Sequence, residues 1–477
     1  MRISFARIAT DGRIDDERTH RLDATAVSKE NAESPLFDRF FAEALLAQTV
    51  GCRARSSSNM PNAHALNGYE IMAPAGALDA VAAALAGGAD SVYFGAGALN
   101  MRSRTASSIT LEDLPEIASR CSDKGAKAYI TLNSIVYEGE LPLMEHMLDR
   151  AAEAGISAVI AADPAAIAAA RERGIEVHLS TQLSISNARA LKFYAQFADV
   201  VVLARELTLE EIKGIAETIE RENICGPSGE RVRIECFCHG ALCMAVSGRC
   251  NLSFFLRGKS GNRGECQHIC RRKYRLEDIE RGEAIDFDGA RFLSPKDLKT
   301  IGIMDRMVTA GIKVFKIEGR ARSPEYVRTT VECYREALEA VLGGRWAEAD
   351  VERWNERLGG VFNRGYWDGW YMGAKSLEQT AGNGSLASLK KVYVGRCINY
   401  YPRAGVGCFR IETQTIEEGD RFVVTGPTSG AVMGTVEGML LEEVPAKCAG
   451  KGDEPTIAVP ERIREGDRLY KLVPARR

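Results

Sequence analysis

Residues 127–163 read KAYITLNSIVYEGELPLMEHMLDRAAEAGISAVIAAD. Short apolar runs at both ends of this stretch, 127–133 and 158–163, contain β-branched residues and predict two strands. The segment between them, 141–155, has the Leu, Met, Ala and Glu content of a helix and closes with Ala-Gly ahead of the next strand. A strand, a helix and a second strand in this order predict a βαβ unit with parallel strands.

The same alternation of short strands and longer helices extends on both sides of this unit. The predicted strands are 69–73, 91–95, 127–133, 158–163, 176–181, 200–205, 233–238 and 313–319. Eight units with buried parallel strands predict an α/β fold, a closed (β/α)8 TIM-like barrel over residues 67–372. A long cysteine-rich insertion, 239–312, separates strands seven and eight.

The two ends of the chain depart from this pattern. Residues 1–66 mix polar and charged residues without sustained periodicity, so we expect a disordered or over-annotated extension, with Met60 as an alternative start. Residues 373–390 contain Gly, Ser and Asn and predict a linker. Over residues 391–477, short β-rich runs alternate with Gly, Pro and Asp turns, which predicts a small C-terminal antiparallel β-barrel.

The composition is that of an ordinary globular protein. The 477 residues are 45% apolar and 27% charged, with a formal net charge of −3. Nucleic-acid binding would therefore need a local basic patch. No apolar run approaches the ~20 residues that span a bilayer, and the first residues lack the apolar core of a secretory signal. We expect a cytoplasmic protein without membrane contact; its oligomeric state is not predicted.

Six of the thirteen cysteines lie within residues 235–275. In a reducing compartment, clustered cysteines are more often metal ligands or redox groups than disulfides. Four of them are separated by six, fifteen and three residues: Cys243, Cys250, Cys266 and Cys270. A structural zinc site usually has two close pairs of ligands, whereas irregular spacing is more typical of an iron–sulfur cluster. Zinc, or buried cysteines without a metal, are the alternatives.

Polar side chains follow most of the predicted strands, and in such barrels the chemistry lies at the C-terminal strand ends. The candidate catalytic residues are Asn133, Gln182, His239, Glu318 and Arg320. We expect His239 to carry protons beside the cysteines. Glu318 and Arg320 are expected to bind a carboxylate and a sugar hydroxyl, and the two amides to orient the substrate. A hydrogen-bonded rim histidine and an ion pair closing the barrel are the structural alternatives.

A local excess of basic residues lies at 257–275, with seven Lys and Arg against one Glu. The candidate RNA-binding residues are Arg257, Lys259, Arg263, Arg271, Arg272 and Lys273. Beside the cysteines, such a patch would neutralise the phosphates of a substrate strand. Phe254, Phe255 and Tyr274 would stack an extruded base. The alternative is a solvated basic face without a partner.

The same region carries a family resemblance. Residues 235–253 contain E-x-F-x-x-G-A-L-C-x4-G-x-C-x-L-S, followed by SPKDL at 294–298 and KIEGR at 316–320. Over roughly 69–475 the chain resembles the collagenase-like peptidase family U32. The resemblance implies an enzyme of the oxygen-independent hydroxylase type with a [4Fe-4S] cluster. It is most similar to the branch that makes 5-hydroxyuridine at the wobble position of tRNA, with prephenate as the implied oxygen-donating co-substrate.

The resemblance also bears on the cluster ligands. Three cysteines match its ligand positions: Cys243, Cys250 and Cys266. Many relatives have a further cysteine directly after KDL, where this chain has Lys299. Cys270 is the first substitute for that ligand and Cys238 the second.

Other activities stay open at the level of sequence. A metal-dependent collagenase-like peptidase is one alternative, although the chain has no HExxH motif and no persuasive Ser/His/Asp grouping. An RNA-binding factor with a structural cluster is another. Two further branches of the hydroxylase class modify a cytidine of 23S ribosomal RNA or act in ubiquinone synthesis.

Overall fold

The computed structural model describes residues 66, 68–103, 108–285, 292–382 and 384–475. The predicted N-terminal extension, 1–66, lies outside the described residues except for Leu66. Within the described parts of the chain, no helix combines the length and the apolar character that crossing a membrane requires.

Eight parallel strands form a closed barrel. In chain order they are Glu70–Pro74, Ser91–Phe94, Lys127–Leu132, Ala158–Ala161, Glu176–Leu179, Val200–Val202, Arg233–Ala241 and Val314–Ile317. Each strand pairs with the next, and the eighth pairs with both the first and the seventh, which closes the sheet. The predicted (β/α)8 barrel is therefore confirmed, with each predicted strand matched within a few residues.

Helices surround the barrel wall. They are Leu78–Ala86, Leu114–Asp123, Leu141–Glu153, Pro164–Glu172, Ala188–Ala195, Leu209–Glu222, Met304–Thr309 and Pro324–Leu342, with a further helix at Glu348–Gly360. Local sequence explains several of their starts. Asp163 accepts a hydrogen bond from the amide of Ala165 ahead of a helix that begins with Pro164. Thr208 and Glu211 cap the start of the helix at 209–222 reciprocally.

The main hydrophobic core lies between the barrel wall and these helices, with residues such as Phe94, Leu148 and Phe315 contributing from both layers. The interior of the barrel is different. A small apolar cluster around Met72 and Tyr129 shares it with buried charged and polar side chains, Glu70, His178, Glu235 and Lys316. Because burying a charge without a partner is costly, these groups must pair with one another.

The insertion between the seventh and eighth barrel strands is built from short elements. They are a helix at Leu252–Arg257, 3-10 turns at Val246–Gly248, Gly261–Arg263 and Ile269–Arg271, and a hairpin of Leu276–Asp278 with Glu283–Ile285. Further along, Asp297–Lys299 pairs antiparallel with the far end of the seventh barrel strand and parallel with Tyr366–Trp367. The 3-10 turns at Glu138–Glu140, Thr181–Leu183 and Ile301–Ile303 complete the described short elements.

The seventh barrel strand contains a β-bulge. Its register against the eighth strand runs from Lys316 opposite Phe237 to Ile317 opposite His239, so Cys238 is an extra residue. An extra residue moves the next side chain to the opposite face of the sheet. Gly240 follows with φ +103°, and a Cβ at that position would collide with the carbonyl oxygen of Glu318.

The C-terminal region is an eight-stranded antiparallel sheet. Its strands are Leu389–Tyr401, Val406–Ile411, Arg421–Gly426, Gly430–Thr435, Met439–Leu441, Val444–Ala446, Thr456–Ala458 and Arg468–Pro474, with a two-stranded pair of Ile416–Glu417 and Cys448–Ala449. The sheet encloses its own core, which includes Phe409 and Phe422. It packs on the barrel helices, where Arg328 donates to the carbonyl of Ala431 at 2.7 Å. The predicted antiparallel β region at the C-terminus is confirmed.

Candidate active site at the barrel mouth

A cavity of about 160 Å³ lies where the C-terminal ends of the barrel strands meet the insertion. The predicted catalytic and cluster-binding residues that line it are Asn133, Gln182, Cys243, Cys250, Cys266, Cys270, Glu318 and Arg320, and one predicted RNA-binding residue, Arg271, lines it too. The strand ends and the cysteines were predicted from separate signals, and the structure brings them together around one space.

Four thiols form the wall of the cavity on the side of the insertion. All four are free and partly buried. Burial raises the pKa of Cys270 to about 11, and the other three thiols contribute in the same direction. Burial first, and then the thiols of Cys243 and Cys266, raise the pKa of Cys250. A bound cationic centre would favour the thiolate form of such cysteines.

This set of donors fits an iron–sulfur cluster by its chemistry, because thiolates are the soft ligands that such clusters take. The backbone N–H of Leu252 donates to the sulfur of Cys250 at 3.3 Å, a type of bond that tunes clusters elsewhere. Among the residues that the structure describes, no three His, Cys, Asp or Glu side chains lie close enough together to hold one metal ion. The thiols therefore line a common space without converging on one point.

The two candidates for the fourth ligand differ in position. Cys270 lines the cavity with the other three cysteines. Cys238 is fully buried in the barrel wall, where its thiol donates to the carbonyl of Lys316 at 3.4 Å, and it is not among the lining residues. Lys299, the residue directly after the KDL motif, donates to the side chain of Asn355 at 2.6 Å.

The cavity wall is also cationic. Its basic residues are Arg102, Arg205, Arg271, Lys316, Arg320 and Arg364, against the single carboxylate of Glu318. Arg320 is 6% exposed and donates to the Thr131 hydroxyl at 2.9 Å. Burial acts to raise the pKa of Glu318, but the neighbouring guanidinium groups, Arg102 first, outweigh it and hold that pKa below its usual value. The wall therefore suits an anionic ligand.

Two predicted orienting amides are held by a short hydrogen-bonded chain. Asn133 accepts from the backbone N–H of Met101 at 3.2 Å and donates to the hydroxyl of Ser180 at 3.2 Å. Ser180 in turn donates to the side-chain oxygen of Gln182. These contacts leave both amides at the cavity wall in defined orientations, as expected for groups that position a substrate.

His239 lies elsewhere. It is 1% exposed, and its Nδ1 is 3.3 Å from the hydroxyl of Tyr334, in a cage completed by the rings of Tyr326 and Tyr366. Burial, with the nearby charges of Lys299 and Arg322, lowers the pKa of His239 to about 3. Because of the bulge at Cys238, this imidazole is not among the described residues that line the cavity. Its lowered pKa makes it neutral at physiological pH.

The six predicted RNA-binding residues fall into two groups. Four of them are exposed: Arg257, Lys259, Arg272 and Lys273. Arg263 instead bonds Glu140 and the carbonyl of Ile135. Arg271 donates to the carbonyl of Leu242 at 2.7 Å and to the Ser294 hydroxyl at 2.9 Å. Arg263 therefore ties the insertion to the loop after the third barrel strand, and Arg271 ties two parts of the insertion together.

The structure adds cavity residues that sequence reasoning did not single out: Tyr93, Arg102, His268, Lys316 and Arg364. Tyr93 and Lys316 occupy inward positions of the second and eighth barrel strands, so strict alternation along those strands was the available signal. Arg102, His268 and Arg364 come from loops, where no such periodicity exists. One guanidinium nitrogen of Arg102 lies 2.9 Å from the Nε2 of His268, and the other donates to the carboxylate of Glu318 at 3.4 Å.

The comparisons with known proteins cover both the barrel and its insertion. The model of peptidase family U32 matches residues 76–381. A collagenase of Porphyromonas gingivalis (strain ATCC BAA-308 / W83) is 51% identical over 407 residues, covering 85% of this chain and 98% of the relative.

Two further relatives are named for RNA modification. The tRNA hydroxylation protein P1 of Bacillus subtilis (strain 168) is 33% identical over 338 residues, covering 69% of this chain and 77% of the relative. The tRNA hydroxylation protein P of Escherichia coli (strain K12) is 30% identical over 347 residues, covering 63% and 74%. The family match and the 51% identity to the collagenase lead to one conclusion: the chain belongs to peptidase family U32.

Proposed function

We propose that this chain is an iron–sulfur-dependent, oxygen-independent hydroxylase of RNA, acting on the wobble uridine of tRNA with prephenate as the oxygen donor. The observation that carries the proposal is a single cavity lined both by four free thiols and by the polar ends of the barrel strands. Relatives named tRNA hydroxylation protein P support the RNA substrate.

Cys243, Cys250, Cys266 and Cys270 are the residues that would hold a [4Fe-4S] cluster. When bound, such a cluster supplies one-electron transfer next to the substrate. The protein's part is to surround that space with fixed polar groups and to limit water there, since the cavity is small and most of its wall is buried.

The cationic wall would hold the oxygen donor. Arg320 presents a buried guanidinium held by Thr131 and Asn100, and Arg205 lies flat on the ring of Phe237 at 3.8 Å. A planar guanidinium matches a carboxylate with two parallel hydrogen bonds. The carboxylates of a small donor would find complementary charges on this wall.

The rim of the insertion would receive the RNA. The exposed lysines and arginines at 257, 259, 272 and 273 would contact phosphates. Phe254 and Phe255 are 52% and 73% exposed, and their rings pack on each other with centroids 6.3 Å apart. A base that leaves its stack to reach the cavity would find ring faces there to replace the lost stacking.

Two measurements test the proposal together. Anaerobically purified protein should be brown and carry iron and sulfide, and tRNA from a strain lacking the gene should lose 5-hydroxyuridine in nucleoside mass spectrometry. Complementation with the wild-type gene should restore the nucleoside, and complementation with Cys243→Ala should not. Stoichiometric zinc in place of iron and sulfide, or unchanged tRNA nucleosides in the deletion strain, would contradict the proposal.

A second candidate function is a metal-dependent peptidase, favoured by the 51% identity to a protein named collagenase. It predicts that the purified chain digests gelatin, and that Cys243→Ala and Cys250→Ala digest it equally well. Gelatin digestion that copurifies with the chain and survives both substitutions, in a protein that leaves tRNA unmodified, would replace the hydroxylase with the peptidase.

A further inference from the structure

The hydrogen-bonded chain at the cavity wall has a direction, and one backbone group sets it. The N–H of Met101 can only donate, and it donates to Oδ1 of Asn133 at 3.2 Å. The other arm of that amide is therefore Nδ2, which donates to Oγ of Ser180 at 3.2 Å. The main chain thus selects one of the two orientations that an amide can take.

The same direction passes on to Gln182. A hydroxyl has a single proton to donate, and Ser180, which receives a bond from Asn133, donates its own proton to Oε1 of Gln182. Ser180 is buried, so the bond is shielded from water. The amide nitrogen of Gln182, with two N–H donors, is then the end of the chain. Because Gln182 lines the cavity, the chain presents a donor to the ligand at this part of the wall.

Two hydroxyls beside Gln182 have no hydrogen-bond partner among the residues that the structure describes: Oγ1 of Thr181 and Oγ of Ser247. Thr181 is 7% exposed, Ser247 is fully buried, and both line the same cavity. The turns that carry them, Thr181–Leu183 and Val246–Gly248, pack against each other. Buried polar groups nearly always have a partner, so these two hydroxyls point to a ligand with polar groups of its own.

A ligand edge that matches this arrangement has an acceptor opposite the Gln182 nitrogen, next to a group that can bond a hydroxyl. Uracil has such an edge, with the carbonyl O4 beside N3–H. Cytosine has an amino group at the same position, so its N–H donors would face those of Gln182. Hydroxyls both donate and accept, and Thr181 and Ser247 therefore suit the N3 of either base. The choice between the two bases falls on Gln182.

We propose that Gln182 donates a hydrogen bond to O4 of the target base and thereby selects uridine over cytidine, while the hydroxyls of Thr181 and Ser247 bond the adjoining edge of the ring. This inference rests on the proposed function, because the base is the one proposed for hydroxylation. Asn133 and Ser180 do not touch the base. They are positioning residues that hold the Gln182 amide in one orientation.

A binding experiment on anaerobically purified holoprotein tests the inference. Two anticodon stem-loop RNAs, identical except for uridine or cytidine at the wobble position, are titrated in parallel. We expect the wild type to bind the uridine RNA at least ~10-fold more tightly, since cytidine would leave the Gln182 donor unpaired. The phosphate contacts are the same in both RNAs, so the ratio of the two affinities reports the base alone. Equal affinities would overturn the inference.

Gln182→Glu replaces the N–H donor with a carboxylate oxygen and keeps the shape of the side chain. One oxygen still accepts from Ser180, and the other would accept from the amino group of cytosine, so the preference should reverse toward the cytidine RNA. The added negative charge weakens both RNAs alike and cancels in the ratio. Gln414→Glu, the same change in an exposed loop of the C-terminal sheet, should keep the wild-type ratio. A wild-type ratio in Gln182→Glu would overturn the inference.

Ser180→Ala separates a positioning role from a structural one. Without the hydroxyl, the Gln182 amide can turn either its oxygen or its nitrogen to the base, so the two RNAs should bind equally well. A side chain that only supports the fold would lower thermal stability and leave the ratio unchanged, and that result would reject the role of Ser180. Iron content and thermal unfolding show that both variants are folded and loaded.

The same samples separate this inference from the proposed function. Hydroxylation of the wobble uridine by a protein whose ratio does not respond to Gln182→Glu would keep the hydroxylase and reject the reading of O4. A ratio that reverses in Gln182→Glu, in a protein that modifies neither RNA, would keep the reading of O4 and reject the hydroxylase.

Discussion

On the two sides of the seventh barrel strand, Arg233–Ala241, side chains of the same type lie in opposite environments. On the inner side, His178 sits charged between two carboxylates. On the outer side, His239 is neutral in a cage of tyrosines. Cys238 is sealed in the outer wall, whereas Cys270 faces the cavity. A cysteine or histidine therefore takes its chemistry from the environment in which the fold places it.

The largest expected effect of this difference in environment concerns the thiols. Cys243→Ala removes one of the proposed cluster ligands, so we expect complete loss of bound iron and sulfide and of RNA hydroxylation. Cys238→Ala, only five residues away, should keep both and lose about 1 kcal/mol of stability from a small cavity. Iron and sulfide assays with thermal unfolding check both variants. Loss of iron in Cys238→Ala with full loading of Cys270→Ala would reverse the assignment of the fourth ligand.

The next test uses pH. The folded-state pKa of His239 is about 3 against about 6.5 in the unfolded chain, so below pH ~6.5 the unfolded state binds one more proton. Stability from this residue is therefore present above that pH and falls on acidification, by up to ~1.4 kcal/mol per pH unit.

His239→Phe fits an aromatic cage and cannot take the proton, so its stability should depend less steeply on pH. Urea unfolding midpoints of the two proteins from about pH 7 to about pH 5 measure the difference in slope. Equal slopes in both proteins would mean that His239 is protonated in the folded state. His178 carries the opposite sign, because its pKa is raised and its contribution is lost as pH rises.

A smaller effect separates two arginines that follow the eighth strand. Arg320 lines the cavity, whereas Arg322 packs on the ring of Phe362 at 3.6 Å and is not among the lining residues. Lysine keeps the charge but loses the planar fork, so Arg320→Lys should weaken prephenate binding roughly tenfold. Arg322→Lys is the matched control and should bind as the wild type does. Calorimetric titration with prephenate measures the affinity of both variants. Equal losses of affinity in the two variants would mean that Arg320 is not part of the donor site.

The smallest effect is expected at the rim. Arg272→Ala and Lys273→Ala should each weaken tRNA binding a few-fold and lower the slope of affinity against salt by about one. Arg403→Ala, an exposed arginine in a turn of the C-terminal sheet, serves as the control. A titration series at several salt concentrations measures the slope, and an effect of Arg403 equal to that of Arg272 would show that the rim of the insertion is not the RNA surface.

Much of the architecture follows from local sequence patterns. Short β-branched runs separated by helices specify a parallel barrel because each strand is buried on both faces and needs a helix to return the chain. The cysteine spacing and the polar strand ends identified eight residues that line one cavity, since the carboxyl ends of all barrel strands meet at the same mouth. These features depend on chain order alone.

The roles of individual residues at the mouth were decided by tertiary structure. One extra residue at Cys238 turned His239 away from the cavity, and no periodicity in the sequence marks a bulge. Arg263 and Arg271 carry the same charge as their exposed neighbours but meet carbonyl and carboxylate partners far along the chain. The pairing of Lys316 with Glu235 joins residues 81 positions apart. Sequence determines which groups are available, and closure of the barrel determines which of them meet, because burial forces each charge to find a partner across the fold.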